Sequence, residues 1–414
     1  MKISTNGDFH LTYCTNIHPG ESWGEVLANL KQYLPVLKTQ LSPNYPFGIG
    51  LRLADLAARE LLEADNLTQF QTWLNLQGLY VFTLNGFPYG GFHRQVVKDR
   101  VYAPDWSKPE RLDYTLRLAK ILAVLLPEGM DGGISTVPLS YKPWWKNNQE
   151  ACELIFKSSS CNLAVVAAQM LRIREETGKL LHVDLEPEPD GLIENTAEVI
   201  DFFFQWLLPV GGNYLSELLH ISQESAEFVL REHIRLCYDT CHFAVEYEEP
   251  ESVFARLQAA GIQIGKVQLS AALQVTLPDE AQAHKAVVER LRPFAESTYL
   301  HQVIERWHDG TLHHYLDLAT ALPGLEESLA QECRIHFHVP IFIRDYQVLQ
   351  STQEDIIAVL KLLQENHACK HLEIETYTWE VLPPQMKMDL LLCIQREYEW
   401  VLGALKKVES RLGQ

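Results

Sequence analysis

The sequence lacks the segments that would place it in a membrane or outside the cell. Its longest apolar run, near 121–126, ends at Pro127 and is far too short to cross a bilayer. The first residues contain Asp8 and His10 and have no apolar core, so they do not read as a secretory signal. The 8 cysteines include no CxxC pair, which is typical of a reducing compartment rather than of a disulfide framework. We therefore expect a cytoplasmic protein without a transmembrane segment.

Positive charge is also scarce. The 35 lysines and arginines are outnumbered by 54 acidic residues, and the formal net charge is -19. A surface of this sign repels phosphate backbones and anionic membranes, and no basic patch stands out in the sequence. We therefore expect no nucleic-acid partner, and a metal-dependent endonuclease is disfavoured.

The common catalytic motifs are missing. The sequence contains no GxxxxGK followed by Ser or Thr, no GxSxG elbow and no HExxH, and Gly48 and Gly50 lack the third glycine of a dinucleotide-binding fingerprint. These absences argue against a P-loop nucleotide site, a serine hydrolase, a zinc protease of that type and a nicotinamide enzyme.

Strand-like and helix-like segments alternate along the chain. Eight such pairs, without a Pro-, Gly- or Ser-rich linker between them, are typical of a closed (β/α)₈ TIM barrel, whereas an open doubly wound sheet seldom runs so long. We therefore predict one α/β domain over 1–414. The segment 274–333 is predicted as an insertion between the seventh and the last strand, with a hairpin at Asp309 and Gly310.

Acids and histidines collect where the predicted strands end. A parallel barrel has its active site at the carboxyl ends of its strands, and carboxylates with imidazoles are ligands for Mn²⁺, Mg²⁺ or Zn²⁺. We therefore predict a divalent metal ion as cofactor. The segments concerned are LHVDLEPEPDG (181–191), IRLCYDTCH (234–242), RIHFHVPIF (334–342) and HLEIETYTW (371–379).

These strand ends resemble the xylose isomerase-like TIM-barrel superfamily of sugar isomerases, epimerases and related endonucleases. In its epimerase branch a Glu, an Asp within an Asp-x-x-His turn, a His and a Glu bind the metal. Glu186, Asp239 and Glu375 occupy the matching positions here, but the seventh strand carries Gln268 in place of the histidine. The resemblance implies that a fourth ligand comes from His338 or His336, with Gln268 as the second choice.

A more specific resemblance covers essentially the whole chain. The stretches that carry it are TNIHPGESW, GIGLRL, FTLNGFPYGGFH, VDLEPEPDG, CYDTCHFAV, HFHVPIF and LEIETYTWEVLP. They resemble the EboE family of metabolite traffic proteins, and the resemblance implies a part in moving secondary-metabolite precursors. The partners it implies are a small metabolite, with a sugar among the candidates, and other Ebo-cluster proteins.

The expected chemistry is proton transfer beside a metal-bound carbonyl or hydroxyl. Glu186 and Glu375 are predicted as catalytic base and acid of an isomerase or epimerase. His242 of the Asp-x-x-His turn is expected to bind substrate from outside the metal's ligand shell. Glu373, which shares a strand face with Glu375, is its main rival.

Two further residues, Asn85 and Arg52, are predicted to bind substrate at the barrel mouth. Arg52 has an alternative role, in which it pairs with an acid in the barrel floor.

The alternative function is a binding or scaffold protein that holds a metabolite during export without turning it over. Tryptophans near strand ends could stack on such a ligand, although packed tryptophans are the commoner case. Four histidines outside the strand ends are expected to be solvated loop residues. The tryptophans are Trp23, Trp144, Trp145 and Trp379, and the histidines are His301, His308, His313 and His314.

Overall fold

Eight parallel strands form a closed barrel in the computed structural model, which describes residues 1–3, 8–278, 281–346 and 349–412. Strand order follows the chain, and a parallel bridge between Cys14 and Gly50 closes the ring between its first and second strands. The predicted (β/α)₈ barrel is confirmed. A short strand β1 (Lys2–Ile3) pairs antiparallel with β2, and the barrel strands are β2 (Phe9–Tyr13), β3 (Phe47–Arg52), β4 (Leu79–Asn85), β5 (Gly132–Thr136), β6 (Leu181–Leu185), β7 (Ile234–Asp239), β8 (Ile264–Leu269) and β15 (His371–Ile374).

Helices lie between the barrel strands. A capping box begins the first helix, since the Ser22 side chain accepts from the Glu25 backbone N–H and the Glu25 side chain accepts from the Ser22 backbone N–H. The helices are α1 (Trp23–Leu41), α2 (Asp55–Leu61), α3 (Asn66–Gln77), α4 (Pro109–Leu125), α5 (Gln149–Thr177), α6 (Thr196–Phe202), α7 (Gly212–Leu219), α8 (Gln223–His233), α9 (Thr240–Val245), α10 (Pro250–Ala259), α11 (Ala281–Leu291), α12 (Leu318–Leu325), α13 (Gln353–Asn366) and α14 (Leu390–Leu412), with a π-helical segment at Phe203–Gly211.

The chain between β8 and β15 builds a second sheet. Six antiparallel strands lie in the order β11, β10, β12, β9, β14, β13, and they span 271–351, which is wider than the predicted insertion of 274–333. The sheet starts earlier because only Ser270 separates β8 from β9, and it ends later because β12, β13 and β14 also pair within it. The predicted hairpin turn at Asp309 and Gly310 joins two of these strands. The strands are β9 (Ala271–Thr276), β10 (Val303–Trp307), β11 (Leu312–Tyr315), β12 (Ala330–Val339), β13 (Asp345–Tyr346) and β14 (Leu349–Ser351).

Small residues in the barrel strands leave room for polar side chains inside the barrel. A Cβ atom at Gly50 would lie 1.8 Å from Glu373 Oε1, and one at Gly265 would lie 2.0 Å from Asp184 Oδ1. Such distances are far below van der Waals contact, so a larger residue at either position would displace a buried carboxylate. Glycine is therefore required here for close approach rather than for a turn.

By length and composition alone, helix α5 could cross a membrane, although the sequence analysis predicted no such helix. Half of its most apolar window is buried inside the protein. The buried residues include Leu163, Val166 and Met170 at helical spacing. A helix that packs one face on a core passes the same test of composition, and α5 is such a helix.

Candidate functional site

Three carboxylates meet at the carboxyl end of the barrel. Asp239 is the last residue of β7, while Glu186 and Glu375 directly follow β6 and β15. One carboxylate oxygen from each lies within 4.8 Å of the others. Their exposed fractions are 3% for Glu186, 0% for Asp239 and 4% for Glu375. The structure thus brings together the three acids that the strand ends singled out.

The burial of these acids leaves part of their bonding capacity unused. Glu186 Oε2 and Asp239 Oδ2 are buried and have no hydrogen-bond partner among the described residues. Burial, followed by repulsion from Glu375 and Asp239, raises the pKa of Glu186 well above its ordinary value. Burial, followed by repulsion from Asp239 and Glu373, also raises the pKa of Glu375 well above its ordinary value. Converging, unpartnered carboxylate oxygens fit a divalent cation, which would replace the missing partners.

The Asp-x-x-His turn fixes Asp239. Its Oδ1 accepts hydrogen bonds from the backbone N–H groups of Cys241 (2.8 Å) and His242 (3.2 Å) at the start of α9, and from Ser270 Oγ (2.5 Å). An aspartate at a helix N-cap is held in one rotamer by such bonds. This arrangement leaves Oδ2 free to face Glu186 and Glu375.

Two amides hold Glu375. Its Oε1 accepts from Asn16 Nδ2 at 2.8 Å and from Asn85 Nδ2 at 2.9 Å. Asn85, predicted to bind substrate, therefore lies at the cavity and also orients a carboxylate. Asn16 was not singled out from the sequence, because an asparagine in the loop after a first strand carries no distinctive signal.

Glu373, the rival of Glu375, is occupied elsewhere. Its Oε2 lies 2.5 Å from Lys266 Nζ, which also donates to Ser135 Oγ at 2.9 Å. Lys266 and Glu373 are fully buried. This ion pair inside the barrel removes Glu373 from the candidate ligands.

The proposed replacements for the missing histidine come from the inserted sheet. His336 and His338 lie on β12, and their Nε2 atoms are 3.2 Å apart. His338 has a ligand atom within 4.8 Å of those of Asp239 and His242, while His336 belongs to a group with Glu188 and His242. The histidines thus lie beside the carboxylates, with His242 common to both histidine groups and Asp239 shared with the group of Glu186 and Glu375.

Gln268 pairs in register with Asp239. Its Oε1 accepts from Cys237 Sγ at 3.1 Å, and its Nε2 is buried without a partner among the described residues. The amide oxygen that would bind a metal is therefore already used.

A cavity of about 60 Å³ opens above the carboxylates. Glu186, Glu188, His242 and Glu375 line its polar end. Its other walls are mainly apolar and aromatic, with Phe87, Phe92, Tyr102, Tyr299 and Tyr377 prominent among them.

Lys98 is the only lysine or arginine among the described residues that line this cavity. Its Nζ donates to the Glu296 carbonyl at 3.1 Å and to Asp317 Oδ2 at 2.6 Å. The charge of Lys98 is therefore already compensated.

Arg52 differs from the prediction. Its guanidinium donates to Glu21 and to the carbonyls of Gly20 and Gly90, and it does not line the cavity. Arg52 is thus an ion-pair partner, but of an acid at the barrel mouth rather than in the expected barrel floor, and it ties two loops there.

Several other expectations about side chains need correction. His301 is fully buried rather than solvated, and its ring bonds Glu296 Oε1 at 2.7 Å and the His336 carbonyl at 2.9 Å. His308, His313 and His314 are exposed as expected. The four tryptophans considered as stacking groups are absent from the described cavity wall, where tyrosines and phenylalanines take that place.

Neither a protein family model nor a curated protein sequence matches the chain. Among solved structures it is similar to the IolI protein with a bound zinc atom (12% identity, TM-score 0.47, 96% of this chain and 99% of that chain). It is also similar to a D-tagatose 3-epimerase-like protein (12% identity, TM-score 0.48, 97% of this chain and 99% of that chain). A third similar structure is that of a protein from Anabaena variabilis assigned to the sugar phosphate isomerases/epimerases (13% identity, TM-score 0.48, 97% of this chain and 99% of that chain). The likeness concerns the fold alone.

Proposed function

We propose that this protein is a divalent-cation-dependent isomerase or epimerase of a small hydroxycarbonyl metabolite. The observation that carries the proposal is the convergence of Glu186, Asp239 and Glu375, with two buried oxygens left without partners. These three acids would hold the cation. A cation bound there would polarise a substrate C–O group and acidify the neighbouring C–H.

The two glutamates carry the proton transfers. Glu186 takes the proton from the carbon next to the carbonyl, and the electron pair moves into the C–O group. Glu375 returns a proton, either to the opposite face of the same carbon or, as the hydroxyl proton passes to the enolate oxygen, to the neighbouring carbon. Burial and neighbouring acids raise the pKa of both carboxyls, which makes Glu186 a stronger base toward the C–H proton. Asn16 and Asn85 keep Glu375 pointed at the substrate.

The cavity supports a substrate with a polar end and an apolar body. Its carboxylate end would hold the hydroxycarbonyl group, while aromatic walls such as Tyr299 and Tyr377 cover the remainder. A phosphate would find no free cation, since Lys98 is paired with Asp317. We therefore favour an unphosphorylated metabolite over a sugar phosphate.

The test follows C–H exchange in heavy water. Protein loaded with Mn²⁺ is incubated with 2-hydroxyacetophenone and, separately, with D-fructose, and loss of the C–H signal is measured by NMR. We expect faster exchange with the aromatic probe. Glu186→Gln and Glu375→Gln should slow exchange by about 100-fold or more and weaken Mn²⁺ binding, whereas His313→Gln, at an exposed position, should do neither. Variants of both glutamates that bind Mn²⁺ and exchange protons like the wild type would reject the assignment.

A second candidate is a non-catalytic metabolite-binding or scaffold protein of an export pathway. The resemblance to EboE-type traffic proteins supports it, and so does the aromatic cavity wall, which needs no chemistry to hold an apolar ligand. Binding of 2-hydroxyacetophenone without any proton exchange in the Mn²⁺-loaded protein would favour this candidate. A cytoplasmic location and contacts with other Ebo-cluster proteins are part of the same proposal.

A further inference from the structure

Three buried histidines, His242, His336 and His338, lie next to the carboxylates. In each of them Nδ1 bonds an oxygen, which leaves Nε2 as the nitrogen available to a ligand. His338 Nδ1 lies 2.8 Å from the Glu375 carbonyl oxygen. A carbonyl oxygen can only accept, so Nδ1 must carry the proton. In the neutral ring, Nε2 of His338 then carries no proton and has a free lone pair.

The proton of His336 is fixed in the same way, through an amide. Gln302 Nε2 donates to the Pro189 carbonyl at 2.9 Å, so the Gln302 oxygen is the atom that faces His336. His336 Nδ1 lies 2.9 Å from that oxygen and must donate to it. In the neutral ring, Nε2 of His336 therefore has a free lone pair too.

The two lone pairs point at each other. His336 Nε2 and His338 Nε2 are 3.2 Å apart, yet neither has a proton to place between them in the neutral state. Zinc binds imidazole nitrogen at about 2.0–2.1 Å, so two such ligands on a tetrahedral ion are about 3.3 Å apart. The separation of the two nitrogens thus matches an edge of a metal coordination shell.

His242 and Glu188 complete the cluster. His242 Nδ1 lies 3.1 Å from the Pro187 carbonyl, so its Nε2 is also a lone pair, and this atom lies 3.9 Å from Glu188 Oε2. Glu188 Oε1 is buried without a hydrogen-bond partner among the described residues. A ring nitrogen of His242 lies within 4.8 Å of a ring nitrogen of His336, and one also lies within 4.8 Å of a ring nitrogen of His338.

We propose that His242, His336, His338 and Glu188 form a second cation site, separate from the carboxylate site and adjoining it at Asp239. Three neutral imidazoles with one carboxylate suit Zn²⁺, whereas the three acids around Glu186 suit a harder cation such as Mn²⁺ or Mg²⁺. Two of its four ligands come from β12, so the inserted sheet supplies a metal site that the barrel alone lacks.

The experiment counts bound ions on the full-length protein. Metal-free protein is dialysed against Zn²⁺ and the bound metal is measured by mass spectrometry, with Co²⁺ absorption in the visible range as a reporter of the ligands. We expect two ions per chain in the wild type and one in His336→Gln. His313→Gln, at an exposed position, should keep two, and circular dichroism checks that each variant is folded.

Further variants separate this proposal from the proposed function. Glu188→Gln should weaken one Zn²⁺ site about 10-fold or more without removing the other, and Glu186→Gln should affect only the carboxylate site. One ion per chain in the wild type at saturation would overturn the second site, as would two ions in both His336→Gln and Glu188→Gln with unchanged affinity. Failure of Glu186→Gln to affect Mn²⁺ binding would instead count against the proposed function alone.

Discussion

Asn85 is the residue whose role at the site is simplest to isolate. Its amide donates to Glu375 Oε1 from inside the barrel mouth, and Asn85 is almost fully buried. Groups that orient a metal ligand contribute to affinity without touching the metal.

We predict that Asn85→Ala weakens binding of Mn²⁺ about 10-fold, because Glu375 then keeps only the bond from Asn16 and loses part of its orientation. Isothermal titration of the metal-free protein measures the change. Asn213→Ala on an exposed helix surface is the matched control and should bind Mn²⁺ normally. Equal affinity in Asn85→Ala would mean that Glu375 needs no such support.

The ion pair of Lys266 and Glu373 gives a second prediction at this scale. Lys266→Met leaves Glu373 as an uncompensated charge inside the barrel, so it should reduce the free energy of unfolding by about 3–5 kcal/mol. Adding Glu373→Gln to this variant should restore part of the loss. Urea unfolding measures both, with Lys285→Met at an exposed position as control. A loss no larger than that of the control would contradict the burial of this charge pair.

The convergence of the three acids was predictable from sequence, whereas their hydrogen-bond partners were not. Glu186, Asp239 and Glu375 end strands, and the carboxyl ends of parallel strands meet at one rim of a barrel. The choice between Glu373 and Glu375 depends on Lys266, which is far away in sequence and was not considered. The role of Arg52 likewise depends on contacts between loops, which a linear pattern does not show.

Among the elements, β12 has the largest influence on the site. Its alternation of histidines with apolar residues predicted a strand, but the position of that strand over the barrel mouth depends on pairing with β9 and β10. Such pairing between distant segments is not visible in the sequence. For the same reason the predicted insertion, 274–333, is narrower than the sheet that includes β12.

Helix α14 contributes a buried acid beneath the last loop of the barrel. Glu397 Oε1 accepts from Thr376 Oγ1 at 2.6 Å and from the Ile341 backbone N–H at 3.3 Å. Burial raises the pKa of Glu397 to about 7.

This raised pKa predicts a loss of stability with increasing pH. The folded protein binds the Glu397 proton more tightly than the unfolded chain, so the contribution is complete below pH ~4.5 and disappears as pH rises through about 7. Between pH 5 and 8, the wild type should therefore lose on the order of 2 kcal/mol more unfolding free energy than Glu397→Gln. Urea unfolding at both pH values gives the difference, and parallel pH profiles of the two proteins would refute the raised pKa.

At the scale of the whole molecule, barrel and inserted sheet share one core. A single cluster of buried apolar residues includes Leu11 and Leu236 of the barrel as well as Leu273 and Ile335 of the inserted sheet. Elements joined in this way should unfold together.

We therefore predict one cooperative transition for 1–414 in differential scanning calorimetry, with equal calorimetric and van't Hoff enthalpies. His336→Gln, which changes the site and leaves this shared core intact, should keep the single transition. Two separate transitions would divide the chain into a barrel and an independent inserted domain.

The central claim is that Glu186, Asp239 and Glu375 together bind a divalent cation. Anomalous X-ray diffraction from a crystal of the Mn²⁺-loaded protein, collected at the manganese absorption edge, tests it most directly. The account predicts an anomalous peak within bonding distance of all three carboxylates. A crystal that shows no manganese peak there, or shows it only at other places on the protein, would contradict the account.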